Sequence, residues 1–144
     1  MDGDDVPSEI HELLLRGLDL FDAGQHFEAH EDWEELWMGE VGATRHLLQA
    51  LIQLTVALHH RERGNRSGAD ALLERAQGHL EQVPAPACFL DPRRLEAAIA
   101  ALRAELAEQR RLPEARFDAA LVPRFDETRA RIRAERRARG LPEI

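Results

Sequence analysis

The stretch from Leu47 to Leu58 is the feature that most constrains how this chain can fold. Its apolar residues cover nearly the whole circumference of a helix: Leu47, Leu48, Ala50, Leu51, Ile52, Leu54, Val56, Ala57 and Leu58. A helix that is apolar on every side has to be surrounded by other helices. Gln49, Gln53 and Thr55 interrupt the stretch, and it is shorter than the roughly 18 apolar residues of a membrane helix. We therefore expect an all-α protein built around this helix.

Further helices are predicted from apolar residues at helical spacing and from the breakers that follow them. Gly24, Gly64 and Gly140 stand just beyond helix ends, and Asp91 with Pro92 is typical of a helix start. Short connections favour antiparallel neighbours. The prediction is a compact bundle of about six helices with antiparallel helix pairs, over residues 8–23, 26–37, 44–63, 67–82, 91–111 and 124–138, with an irregular connection at 112–123.

Composition limits the class of protein. The 144 residues are enough for one domain, expected to span 1–144, and the 32% charged residues predict solubility. A net charge of −8 argues against nucleic-acid binding, and the basic run from Arg129 to Arg139 is interpreted as a solvated helix end. The lone Cys88 and an acidic start without a secretory signal favour a cytoplasmic protein with no membrane association.

The second predicted helix carries polar residues on the face expected to point inward. On a helical wheel, His30 and Glu34 fall between the tryptophans and Phe27, inside the apolar arc. His26, His30 and Glu34 are spaced i, i+4, i+8 and should stack along one edge. The other acids of this helix are assigned to the solvent face: Glu28, Glu31, Asp32 and Glu35.

The third predicted helix has a matching polar stripe. His46, Gln49, Gln53 and His60 fall within about 60° of one another on its wheel. A buried carboxylate without a partner would cost several kcal/mol or would protonate, so the two polar sets should face each other. The predicted cluster contains His30, Glu34, Trp37, Gln49, Gln53 and His60.

These residues resemble a known prokaryotic family, domain of unknown function 309. That family is recognised by a His-x3-Glu-x2-Trp/Tyr motif, matched here by His30, Glu34 and Trp37 and followed by Gln49-x3-Gln53, His60 and Gly64-Asn65. The resemblance covers about residues 21–80 and implies a compact helical fold, no assigned activity and a conjectured metal site at the motif. The C-terminal helical extension, about 91–139, lies outside it.

Four functional interpretations remain open from the sequence. The cluster is a buried hydrogen-bond network, or a divalent-metal site for Zn²⁺, Mn²⁺ or Fe²⁺ with His30, Glu34 and His60 or His26 as ligands. It is otherwise an acid–base site without a metal, or the chain is a helical module that binds a protein or forms a homo-oligomer. The sequence identifies neither a reaction nor a partner, whether small molecule or protein.

Overall fold

Six α-helices form most of the chain that the structure, a computed structural model, describes; those residues are 8–111 and 117–144. The helices are α1 (His11–Asp22), α2 (His26–Met38), α3 (Gly42–Glu62), α4 (Arg66–Leu80), α5 (Pro92–Arg111) and α6 (Asp126–Ala138). The predicted all-α class is confirmed. The acidic start and residues 112–116 of the predicted irregular connection lie outside the described residues, and the rest of that connection includes a 3₁₀ turn, Ala119–Leu121.

The central position of α3 is confirmed. The side chains of Leu47, Leu51 and Leu54 are completely inaccessible to solvent. Helices α2 and α4 pack against α3, α1 packs against α2, and α5 packs against α4. The apolar circumference of α3 is therefore covered from two sides by its sequence neighbours, as expected for a helix without a polar face.

The start of α5 agrees with the sequence, and the starts of α3 and α4 differ from it by two residues and one residue. Asp91 accepts a hydrogen bond from the amide of Arg93 at 2.9 Å, as predicted. Helix α3 begins at Gly42, two residues before the start of the predicted range 44–63. Helix α4, predicted over 67–82, begins at Arg66 and is capped by Asn65, whose side chain reaches the amide of Gly68 at 3.0 Å.

The basic C-terminal helix pairs with the acidic first helix. Arg129 lies 2.7 Å from Asp19 and 3.3 Å from the buried carboxylate of Asp22. Asp22 also accepts a hydrogen bond from the amide of Phe125 at 3.0 Å. Burial raises the pKa of Asp22, while the Phe125 amide and Arg129 act in the opposite direction. Arg129 of the basic C-terminal helix is thus paired with the acidic residues Asp19 and Asp22 of the first helix.

Across residues 8–111 and 117–144, none of the helices combines the length and the apolar character needed to cross a bilayer.

Candidate functional site

Helix α2 is rotated relative to the predicted wheel. Its buried residues are His26, Ala29, Asp32, Trp33 and Leu36. Glu34 is exposed, contrary to the expectation, and Asp32, assigned to the solvent face, is only 8% exposed. The reason is Phe27, which was taken as one edge of the apolar arc but is 44% exposed. The buried face of α2 is therefore turned towards Asp32 and away from Glu34, compared with the face predicted from the helical wheel.

Two contacts define how α2 lies on α3. At the start of α2, Nδ1 of His26 lies 3.0 Å from Oε1 of Glu62 in the last turn of α3. At the end of α2, the guanidinium of Arg45 stacks on the ring of Trp37, with 3.9 Å between its carbon and the ring centroid. The two helices thus run in opposite directions, and the middle of α2 lies opposite the middle of α3.

The predicted histidines form hydrogen bonds with residues outside the predicted cluster. Nδ1 of His30 donates to the carbonyl oxygen of Phe27, and the two rings pack with 4.6 Å between centroids. Nδ1 of His60 lies 3.2 Å from the side-chain nitrogen of Asn65, so it accepts that amide proton. The ring of Phe27 also packs on His59, at 4.9 Å, which places His30 on the side of α2 that faces α3.

The remaining members of the cluster are not joined to one another. Gln49 is partly buried. The side-chain oxygen of Gln53 is buried and has no hydrogen-bond partner in the described part of the chain. Among residues 8–111 and 117–144, no three His, Cys, Asp or Glu side chains are grouped closely enough to hold a metal ion. The motif therefore lies beside α3, but the predicted cluster residues do not form one hydrogen-bond network in the described part of the chain.

A cleft of about 700 Å³ lies at the end of the α2–α3 pair where α2 begins and α3 ends. It is bounded by the start of α2, the end of α3 and the segment 117–124. Its apolar walls come from Phe21, Phe117, Ala119, Ala120, Val122 and Pro123, and its polar groups from Asp22, His26, Arg61, Glu62 and Arg124. Sequence reasoning missed this cleft because it joins segments almost a hundred residues apart in the chain.

The His26–Glu62 pair is the polar centre of the cleft. The side chain of His26 is 8% exposed and that of Glu62 is 53% exposed. The ring of His26 packs on Phe21, with centroids 4.7 Å apart. When the Nδ1 of a neutral imidazole donates to a carboxylate, its Nε2 is left as a hydrogen-bond acceptor. The pair can therefore offer an imidazole acceptor and a half-exposed carboxylate to a ligand.

Arg61 forms a rigid wall of the cleft rather than a free cation. Its guanidinium lies 2.7 Å from Glu105 and donates to the carbonyl oxygen of Asp118 at 2.9 Å. It also lies over the ring of Phe117, at 4.6 Å from the centroid. Because the charge of Arg61 is balanced by Glu105, it holds the segment 117–124 against α3 and does not create an anion site.

Part of the chain matches the model of a known protein family. Residues 14–72 match the model of a family described as Domain of unknown function (DUF309), which confirms the family that the motif resembles. No curated protein and no solved structure matches the chain. His26, Arg61 and Glu62 lie inside the matched region, whereas the 117–124 wall of the cleft lies outside it.

Proposed function

We propose from the geometry of the cleft that the protein binds a small organic molecule there. Residues 14–72 match the DUF309 family model, whose description names no activity. The ligand has an apolar body and carries a hydroxyl or amine group that donates a hydrogen bond to His26 or Glu62. The observation that carries the proposal is a cleft of about 700 Å³ with aromatic walls, in which a buried imidazole is paired with a half-exposed carboxylate.

The size and lining of the cleft support this proposal. Sites for small molecules have volumes of about 300–1,000 Å³ and combine apolar walls with a few well-placed polar groups. Phe21 and Phe117 provide flat apolar surfaces, and Glu62 provides a negative charge that water still reaches. A neutral or cationic ligand is favoured over an anion, because the guanidinium of Arg61 is already paired with Glu105.

Binding is better supported than a reaction. The lining residues of the cleft in the described chain include no Ser, Thr, Cys or Lys, so no hydroxyl, thiol or amine nucleophile is present. An imidazole beside a carboxylate can accept a proton, but proton transfer needs a reacting group that the cleft itself does not supply. The His26–Glu62 pair is therefore proposed to orient the ligand.

The proposal is tested by screening a fragment library against the purified chain by ligand-observed NMR. Hits are then measured on Ala120→Phe, which fills the cleft from its exposed wall, and on Ala71→Phe, a matched exposed alanine on α4. We expect Ala120→Phe to abolish binding and Ala71→Phe to leave it unchanged. Glu62→Gln should weaken amines more than hydroxyl compounds. Equal binding by both Phe variants, or a screen without hits, contradicts the proposal.

A second candidate function is binding of a divalent ion, Zn²⁺, Mn²⁺ or Fe²⁺, at the motif. Two observations favour it. The His30 Nδ1–H is taken up by the Phe27 carbonyl oxygen, which leaves Nε2 for an ion one helical turn from Glu34. The buried oxygen of Gln53 has no donor among the described residues and would gain a partner from a bound ion or its water.

Elemental analysis of the purified protein, compared with His30→Gln, tests this second candidate. We expect about one metal ion fewer per chain in the variant than in the natural chain. Because His60 and His26 are held by residues outside the motif, Asn65 and Glu62, their replacement should reduce metal content less than that of His30. An equal metal content in His30→Gln excludes the motif as the site.

A further inference from the structure

Two histidines meet where α3 begins and α4 ends, at the opposite end of α3 from the cleft. His46 lies near the start of α3, and His79 lies in the last turn of α4. Their Nδ1 atoms are 2.9 Å apart, and their ring centroids are 5.1 Å apart. Both side chains are partly buried, so the pair is held by the helix packing while one side remains open to water.

Like atoms at this distance require something between them. A neutral imidazole has one N–H and one lone pair, so two Nδ1 atoms meet either through one shared hydrogen or through a cation that accepts both lone pairs. Zinc–imidazole bonds are about 2.0–2.1 Å long, so two nitrogens bound to one ion at angles of 90–110° lie about 2.9–3.4 Å apart. The observed separation of the His46 and His79 nitrogens lies at the short end of this range.

We propose that His46 and His79 bind one divalent first-row transition ion through their Nδ1 atoms, with water completing the coordination. Imidazole ligands select Cu²⁺, Ni²⁺, Zn²⁺ and Co²⁺ over Mg²⁺ and Ca²⁺, which prefer oxygen. The described residues supply no third His, Cys, Asp or Glu to this group. The ion therefore keeps open positions that an external ligand can occupy.

Burial, together with the neighbouring His46, lowers the pKa of His79. His79 lies beyond residue 72, where the family match ends, and neither histidine is one of the motif residues His30, Glu34 and Trp37.

Titration calorimetry on the metal-stripped chain tests the proposal, with ZnCl₂ and NiCl₂ as probes and MgCl₂ as the control for ion class. The variants are His46→Gln and His79→Gln, and His30→Gln tests the motif instead. The matched control is His59→Gln, a partly buried histidine of α3 that belongs to neither the pair nor the motif. We expect a Zn²⁺ or Ni²⁺ site that is weakened at least about tenfold in each pair variant and unchanged in the control. Mg²⁺ should produce no binding heat.

A spectroscopic measurement keeps the test decisive if a variant loses stability. Cu²⁺ bound to the natural chain should show electron paramagnetic resonance couplings to two imidazole nitrogens, and His79→Gln should retain one. Absence of Zn²⁺ and Ni²⁺ binding would mean that the pair is joined by a shared hydrogen only, and the proposal fails. Loss of binding in His30→Gln alone would assign the ion to the motif and would equally overturn it.

Discussion

The indole ring of Trp33 lies directly against the backbone of Gly17, where α2 crosses α1. Trp33 is completely buried, and a Cβ placed on Gly17 would come within 2.6 Å of its Cε2 atom and 2.7 Å of its Cδ1 atom. Any side chain at position 17 would therefore push the two helices apart. This contact sets how closely α1 and α2 approach, and so helps to position His26 beside Phe21.

Replacing Gly17 by alanine should destabilise the protein although alanine is the better helix former. The gain in helix propensity is about 1 kcal/mol, whereas overpacking against a fixed indole costs about 1–3 kcal/mol. The matched control is Gly78→Ala in α4, where a Cβ meets nothing within 4 Å. Urea unfolding followed by circular dichroism should show a loss for Gly17→Ala and a gain for Gly78→Ala. Gains in both would contradict the close contact.

Replacing Arg61 by alanine should cost about 3–5 kcal/mol, because it leaves Glu105 charged and buried without its partner. The two side chains are 5% and 10% exposed. The comparison is Arg94→Ala, which removes an ion pair with Glu127 in which both side chains are more than two-thirds exposed. Thermal unfolding should show a large loss for the first variant and none for the second. Similar melting temperatures would refute a structural role for Arg61.

Stability should fall in mild acid because of His79. Burial and His46 lower the pKa of His79 from its ordinary value of 6.5, so the unfolded chain binds this proton more readily than the folded chain. The protonation of His79 therefore leaves the unfolding free energy unchanged above pH 6.5 and lowers it as the pH falls below 6.5. With EDTA present to remove metal, melting temperatures between pH 7.5 and 5 should decline less steeply in His79→Gln. Parallel profiles would contradict the lowered pKa.

Asn65→Ala should destabilise α4 by about 0.5–2 kcal/mol, because the variant loses the side-chain bond to the Gly68 amide. Ser67→Ala is the control, since the hydroxyl of Ser67 makes only a long hydrogen bond, of 3.5 Å, to the side-chain oxygen of Asn65. Denaturant unfolding should show a clear loss for the first and little change for the second. A larger loss for Ser67→Ala than for Asn65→Ala would contradict Asn65 as the cap.

The fold was predictable because its main signals are local. The apolar circumference of α3 and the glycines at helix ends are properties of short segments, and they identify an all-α bundle without reference to tertiary contacts. Asp91 was identified as a cap for the same reason, since it lies two residues from the amide that it accepts. The family motif is likewise a local pattern within residues 14–72.

The sites depend on contacts between distant segments, which no periodicity encodes. A wheel counts Phe27 as a core residue, but Phe27 packs on His30 and His59 and remains half exposed, so Glu34 lies outside and Asp32 inside. His26 meets Glu62 across 36 positions, and His46 meets His79 across 33. The sequence alone determined that α3 would be surrounded by other helices and that α2 and α3 would carry polar residues. Only the packing of α2, α4 and the segment 117–124 against it decided which of them meet, because the rotation of each helix depends on the contacts of its whole surface.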